Sequence, residues 1–287
     1  MRTKKAWLKA NSTYVIVGVL WLVTFVVTGL VYYTSVFGNN SGKIVANAES
    51  NSEKEEIVEP VDVMFEKTLI GFGDSIMYGK GTDGYTLAQQ IGDKHSMNVY
   101  DFSQSGATVT CYDRKKEDIR WNILEQIKEG IAAVDYTDFI IMNGGTNDIV
   151  ANKSDEFGVI TEDFNSTRDV TTFCGALEEC FSLLKNSYPN AVIVYVRSHN
   201  MKRRSYEKQL IYGEEAKKIC QKWGIACADV FSDTDYNTFL EKYRQYTDVT
   251  SIYPNGDMVH PTKEGYELFY IPLIEETIEK AVAQKEN

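Results

Sequence analysis

The chain has 287 residues, 43% hydrophobic and 25% charged, which excludes a disordered or fibrous protein and allows a sizeable core without staples. Its 41 acidic residues outnumber 30 basic ones, for a net charge of −11 and an isoelectric point near 4.9. That balance argues against nucleic-acid binding, which rests on Lys and Arg. The charge is unevenly spread: residues 1–37 hold four basic residues (Arg2, Lys4, Lys5, Lys9) and no acidic one, leaving 26 basic against 41 acidic in the rest, a net of −15.

Tyr14 to Phe37 is a run of 24 uncharged residues. As a helix it would reach roughly 36 Å, enough to cross a hydrocarbon core of ~30 Å. The basic residues before it outweigh the lone Lys43 just after it. The positive-inside tendency therefore predicts a cytoplasmic stub over 1–13, a signal-anchor over 14–37 and an extracellular remainder. A cleaved signal peptide, giving a secreted protein, is the alternative. Its apolar region would be shorter, and the cleavage-like Ala46-Asn47-Ala48 lies well beyond the run. Residues 38–65 are small, polar and acidic for most of their length, too poor in apolar groups to offset ordering entropy, so a flexible acidic linker is expected.

From residue 66 short apolar runs alternate with helical patterns. Thr68–Phe72, Met97–Phe102, Asp138–Asn143, Ala191–Val196 and Ile225–Val230 are mostly β-branched or aromatic and read as buried strands. Helices are expected at Thr86–Lys94, Arg120–Ala132, Val170–Ser187 and Tyr206–Trp223. In the third, Phe173, Leu177, Cys180, Phe181 and Leu184 recur at helical spacing. Tyr188-Pro189-Asn190 stops that helix and Gly224 stops the next. A last helix opens near Lys263 with Tyr266, Phe269, Tyr270, Leu273, Ile274 and Ile278 on one side; Pro272 is expected to kink it or delay its start. Repeated β-then-α units imply an α/β domain over 66–287, with a mainly parallel five-stranded sheet covered by helices on both faces. Sites in such folds lie beyond the carboxyl ends of the strands. The five cysteines (Cys111, Cys174, Cys180, Cys220, Cys227) include no CxxC pair and no metal-site spacing. Free buried thiols are the expectation, with one bridge open to an exported domain.

The first three strand exits each carry a signal, and a fourth lies near the C-terminus. After the first strand stands Gly73-Asp74-Ser75-Ile76-Met77-Tyr78-Gly79, which places a serine to expose its hydroxyl and N–H together, although a turn serine looks the same. After the second comes Ser103-Gln104-Ser105-Gly106-Ala107-Thr108, where Gly106 lets the backbone approach a ligand. After the third comes Gly144-Gly145-Thr146-Asn147-Asp148, whose Asn147 could aim an amide above the sheet or cap a helix. Near the C-terminus, Asp257-Met258-Val259-His260-Pro261 sets a carboxylate where it can orient an imidazole, as a serine nucleophile requires. Singly these signals are weak; in this order, within one α/β domain, they are specific.

On these residues the sequence resembles the SGNH hydrolases, or GDSL esterase/lipase family, over roughly residues 66–284. The resemblance implies a flavodoxin-like three-layer α/β/α sandwich and a serine esterase that forms an acyl-enzyme. It assigns Ser75, Asp257 and His260 as catalytic residues, and the N–H groups of Ser75 and Gly106 with the Asn147 side chain as an oxyanion hole. It calls for no metal and no cofactor. Ile76 stands where the family name has Leu, a conservative variant. A tethered esterase facing outward suits an acylated glycan, an O-acetyl ester above all. A lysophospholipase or short-chain lipase, an acyltransferase of the same fold, and a non-catalytic surface binding domain are the alternatives. Asp74, Arg197 and His199 are further candidates to touch substrate; the last two follow the fourth strand, where a solvated loop is the plain reading. Lys202-Arg203-Arg204 could meet an anionic glycan or simply be solvated, while His95 at a helix end reads as structural. The acid surplus of the outer domain favours neutral acyl sugars.

Overall fold

Strands β1 (Thr68–Gly73), β2 (Asn98–Asp101), β3 (Phe139–Asn143), β4 (Val192–Arg197) and β5 (Ala226–Asp229) form one sheet in the order β2-β1-β3-β4-β5. Every pairing is parallel. This is the order of flavodoxin-like folds. The computed structural model of the protein describes residues 61–111, 122–151 and 157–286. The expected stub, the Tyr14–Phe37 span and the linker as far as residue 60 lie outside them. Among the described residues no helix is long and apolar enough to cross a membrane.

Side chains alternate across a strand, and here both faces are apolar. Leu69, Phe139, Ile141, Val194 and Val196 pack on one side with helices α1 (Leu87–His95) and α5 (Ile271–Glu286). Ile70, Phe72, Ile140, Met142, Ile193 and Tyr195 pack on the other with α2 (Ile123–Ala133), α3 (Phe173–Ser187) and α4 (Tyr206–Trp223). The edge strand β2 pairs only with β1 and is half-exposed.

Several boundaries shift for local reasons. Helices α1 and α3 begin later than their periodicity suggests because Thr86 and Thr172 keep extended backbones and cap the first turn; their hydroxyls accept the N–H of Gln89 (3.1 Å) and Gly175 (3.3 Å). Asn122 caps α2 in the same way. The last helix opens at Lys263 but becomes regular α-helix only from Ile271, next to Pro272. A one-turn helix, Lys263–Gly265, passes into a π-helical turn, Tyr266–Tyr270, closed by the Ile271 N–H on the Tyr266 carbonyl. The wider turn precedes a residue that has no N–H to continue the ordinary ladder. The end of the expected linker already belongs to the domain: Met64 is buried in the α1/α5 face, and Asp62 meets His95 at 2.7 Å.

Candidate active site

The turn after β1 is held by its neighbours. A Cβ at Gly73 would lie 2.6 Å from the Asn143 carbonyl and 2.8 Å from the Met77 Cβ, so only glycine fits beside β3. Gln126, buried on α2, grips Gly73 twice: it accepts the Gly73 N–H (2.9 Å) and donates to the Gly73 carbonyl (3.0 Å). The Asp74 carboxylate accepts the Ile76 N–H (2.8 Å), and the Tyr266 hydroxyl donates to the Ile76 carbonyl (2.6 Å). Ser75 thus leaves a fixed backbone, 4% exposed.

His260 arrives from the loop before α5, 185 residues away, and its Nε2 lies 2.9 Å from Ser75 Oγ. Its Nδ1 lies 2.5 Å from Asp257 Oδ2, while Asp257 Oδ1 accepts the N–H groups of Val259 and His260, each at 2.9 Å. The turn between them puts Met258 at φ 62°, a strained conformation for a non-glycine residue. Thr247 Oγ1 accepts the Met258 N–H and Thr238 Oγ1 donates to its carbonyl, which holds the turn. Burial alone would raise the Asp257 carboxyl, but the hydrogen bonds from His260 and Val259 outweigh it and keep the group below its usual range. An ionised Asp257 fixes the Nδ1–H tautomer, which leaves Nε2 to accept from the Ser75 hydroxyl.

The second and third strand exits are tied together. Asn147 donates from Nδ2 to the Ala107 carbonyl (2.8 Å), and Asp148 accepts the N–H groups of Val109 (3.0 Å) and Thr110 (2.8 Å). Asp148 is fully buried, and burial raises its carboxyl against those same bonds. Gly106 has φ 91°, a region that side chains disfavour. Among the described residues no acceptor takes the N–H of Ser75 or of Gly106. Two backbone donors therefore stay open, one at the nucleophile and one at the exit of β2, where the Ala107 carbonyl holds the Asn147 amide.

The remaining sequence candidates divide. Arg197 is in no solvated loop: its guanidinium is buried over Phe231, 4.4 Å from the ring centre, and paired to Asp229 (3.0 Å) and Glu214 (3.2 Å). His199 is fully buried, stacked on Tyr236 at 4.1 Å, with Nδ1 2.7 Å from the Tyr270 hydroxyl. Burial depresses its pKa to about 3, so it is neutral. Both read as parts of the scaffold because the chain beyond β4 is covered by α4 and the last helical segment. Asp74 is also fully buried, and desolvation raises its pKa to about 6 against the Ile76 N–H and the His260 charge. His95 bridges Asp62 and Glu275, and all five cysteines are free. Gln126, Asp148 and Tyr266 escaped the sequence reading; Asp148 alone carried a local signal, its place beside Asn147.

Among the described residues no group of three His, Cys, Asp or Glu side chains could hold a metal ion. What the geometry assembles is a serine hydroxyl, an imidazole and a carboxylate in hydrogen-bonded series at the carboxyl ends of a parallel sheet, the arrangement that activates a serine toward esters and amides. The sequence matches the model of the GDSL-like lipase/acylhydrolase family over residues 72–268. The chain belongs to that family and is an ester hydrolase. Among solved structures, a Lactobacillus plantarum protein is similar over 77% of this chain and 98% of its own, with 17% identity and a TM-score of 0.56. A member of the lipolytic G-D-S-L family from Veillonella parvula is similar over 74% and 98%, with 18% identity and a TM-score of 0.50. These two likenesses speak for the fold alone. No curated protein sequence matches the chain.

Proposed function

We propose that the protein is a membrane-anchored esterase acting outside the cytoplasm on O-acetyl esters of carbohydrate, through a Ser75–His260–Asp257 acyl-enzyme mechanism. The observation that carries the mechanism is the continuous series Ser75 Oγ–His260 Nε2 (2.9 Å) and His260 Nδ1–Asp257 Oδ2 (2.5 Å). Ser75 attacks the ester carbonyl as Nε2 takes its proton, and the same proton goes to the departing alcohol. Water then enters by the same route and releases the acid. The N–H groups of Ser75 and Gly106 and the Asn147 amide receive the charge on the tetrahedral oxygen, each such donor being worth about 2.7–4 kcal/mol.

The acetyl reading rests on the expected outward-facing anchor, a setting that suits an acylated glycan. The anchor reading rests on the 24 uncharged residues of Tyr14–Phe37 and the basic residues before them.

The test is hydrolysis of 4-nitrophenyl esters of rising chain length, with acetate release from acetylated glycans, by the full chain and by Ser75→Ala. Acetate should be turned over far faster than laurate, and Ser75→Ala should lose activity while melting like the wild type. Near wild-type turnover in Ser75→Ala would sink the nucleophile assignment, and a preference for laurate would sink the acyl one.

A further inference from the structure

The turn Lys202-Arg203-Arg204 has no part in the chemistry above, yet it is one of the few runs of positive charge in an acidic domain, and it is firmly built. Gln209, buried on α4, accepts the Met201 N–H (2.8 Å) and donates to the carbonyls of Met201 (3.0 Å) and Arg204 (3.3 Å). The Arg204 N–H returns to the Met201 carbonyl (3.1 Å), and the Lys202 N–H donates to Thr238 Oγ1 (2.9 Å). The side chains therefore start from fixed places.

Two of them reach the loops that carry the site. Arg204 Nε donates to the carbonyl of Thr146, the residue before Asn147, at 3.2 Å. The Arg203 guanidinium lies over the Tyr253 ring, 4.2 Å from its centre, in the segment that leads to Asp257. Arg204 is half-buried, and among the described residues its guanidinium makes one other hydrogen bond, from Nη1 to the Arg203 carbonyl (3.3 Å). Among the described residues no carboxylate lies within ion-pair distance of it. The carboxylates whose charge it feels are Asp74 and Asp257, both within the site. A guanidinium has five N–H donors, so most of this fork has no protein acceptor. A cation partly withdrawn from water and left without an anion is unfavourable until one arrives.

We propose that Arg204 anchors a negatively charged group carried by the ester substrate, a carboxylate, sulfate or phosphate, so that the substrate class is an anionic acyl ester. The inference rests on the esterase reading of Ser75. It replaces the expectation of a neutral acyl sugar, because the average charge of the domain does not set the field at the cleft mouth. The planar fork suits such an oxyanion, which can take two parallel N–H bonds.

The experiment compares two carboxylated probes with their methyl esters. In 3-acetoxybenzoate the charge sits on the alcohol side, and in mono(4-nitrophenyl) adipate on the acyl side. The full-length wild type should prefer one anionic probe over its methyl ester by at least about tenfold in kcat/KM. Arg204→Gln should abolish that preference through KM, and Arg204→Lys should restore part of it. Equal treatment of both charged probes and their methyl esters by the wild type would overturn the proposal, as would an Arg204→Gln variant that keeps the preference. Binding of the product analogues 3-hydroxybenzoate and adipate to Ser75→Ala by calorimetry separates the two readings. Binding to Ser75→Ala that is lost on adding Arg204→Gln, beside a wild type that hydrolyses no ester, would uphold the anion site and sink the esterase reading. Binding of both product analogues, 3-hydroxybenzoate and adipate, that is indifferent to Arg204→Gln would sink the anion site alone.

Discussion

Replacing Asp257 by Asn preserves the outline of the side chain and changes only what it can accept. Oδ1 takes two backbone N–H groups, from Val259 and His260, each at 2.9 Å. A carboxamide must put its oxygen there, since its NH₂ would otherwise face two donors. The NH₂ is then forced toward His260 Nδ1, which now lies 2.5 Å from Asp257 Oδ2. Nδ1 must become an acceptor, and the ring proton moves to Nε2. At 2.9 Å from Ser75 Oγ, Nε2 would donate to the serine rather than accept from it, and the general base is lost. The same tautomer change in a serine protease lowers kcat by about 10⁴-fold, close to 5.4 kcal/mol at about 1.36 kcal/mol per decade. Steady-state hydrolysis of 4-nitrophenyl acetate at pH 7.5, beside a thermal melt, measures it. A folded Asp257→Asn that loses less than about tenfold would refute the tautomer argument.

Asn147→Ala should lower kcat by at least about 100-fold; a smaller loss in a folded variant would show that the amide is not aimed at the developing oxyanion. A different region responds to pH. His95 lies between Asp62 (2.7 Å) and Glu275 (2.9 Å); burial lowers its pKa, but the hydrogen bonds and charges of the two carboxylates outweigh that and raise it. A raised folded pKa means that its stabilisation is whole below the unfolded value of about 6.5 and is lost as pH rises through the folded one. Melting curves between pH 5 and 9 should show a decline in Tm for the wild type that is weaker in His95→Gln; identical pH profiles would contradict the assignment.

Much of the scaffold was readable along the chain. The five apolar runs became five strands; β1, β3 and β4 are covered on both faces and so are apolar at nearly every position, while the edge strand β2 is half-exposed. The errors were local ones: where a Thr or Asn carries an extended backbone, the helix starts after it, although the apolar pattern begins earlier. Pro272 lacks the N–H that the ordinary ladder needs, and the residues before it widen into a π turn, a detail that a missing N–H alone does not specify.

The site is legible in a different measure. The residue types and their places follow from sequence alone, since Gly73, Ser75, Gly106 and Asn147 at strand ends, and Asp257 and His260 before the last helix, each stand in a local motif. Packing decided the rest, because it depends on residues remote in sequence. It set His260 against Ser75 across 185 residues and closed Gln126 on Gly73 across 53. It also withdrew Arg197 and His199 into the interior, while leaving Arg204 against the Thr146 carbonyl with no carboxylate partner among the described residues. Composition reported a domain with surplus negative charge. Only the folded chain shows that a cation stands beside the Asn147 loop, because a local field is set by which few side chains come together in space and not by the sum over the sequence.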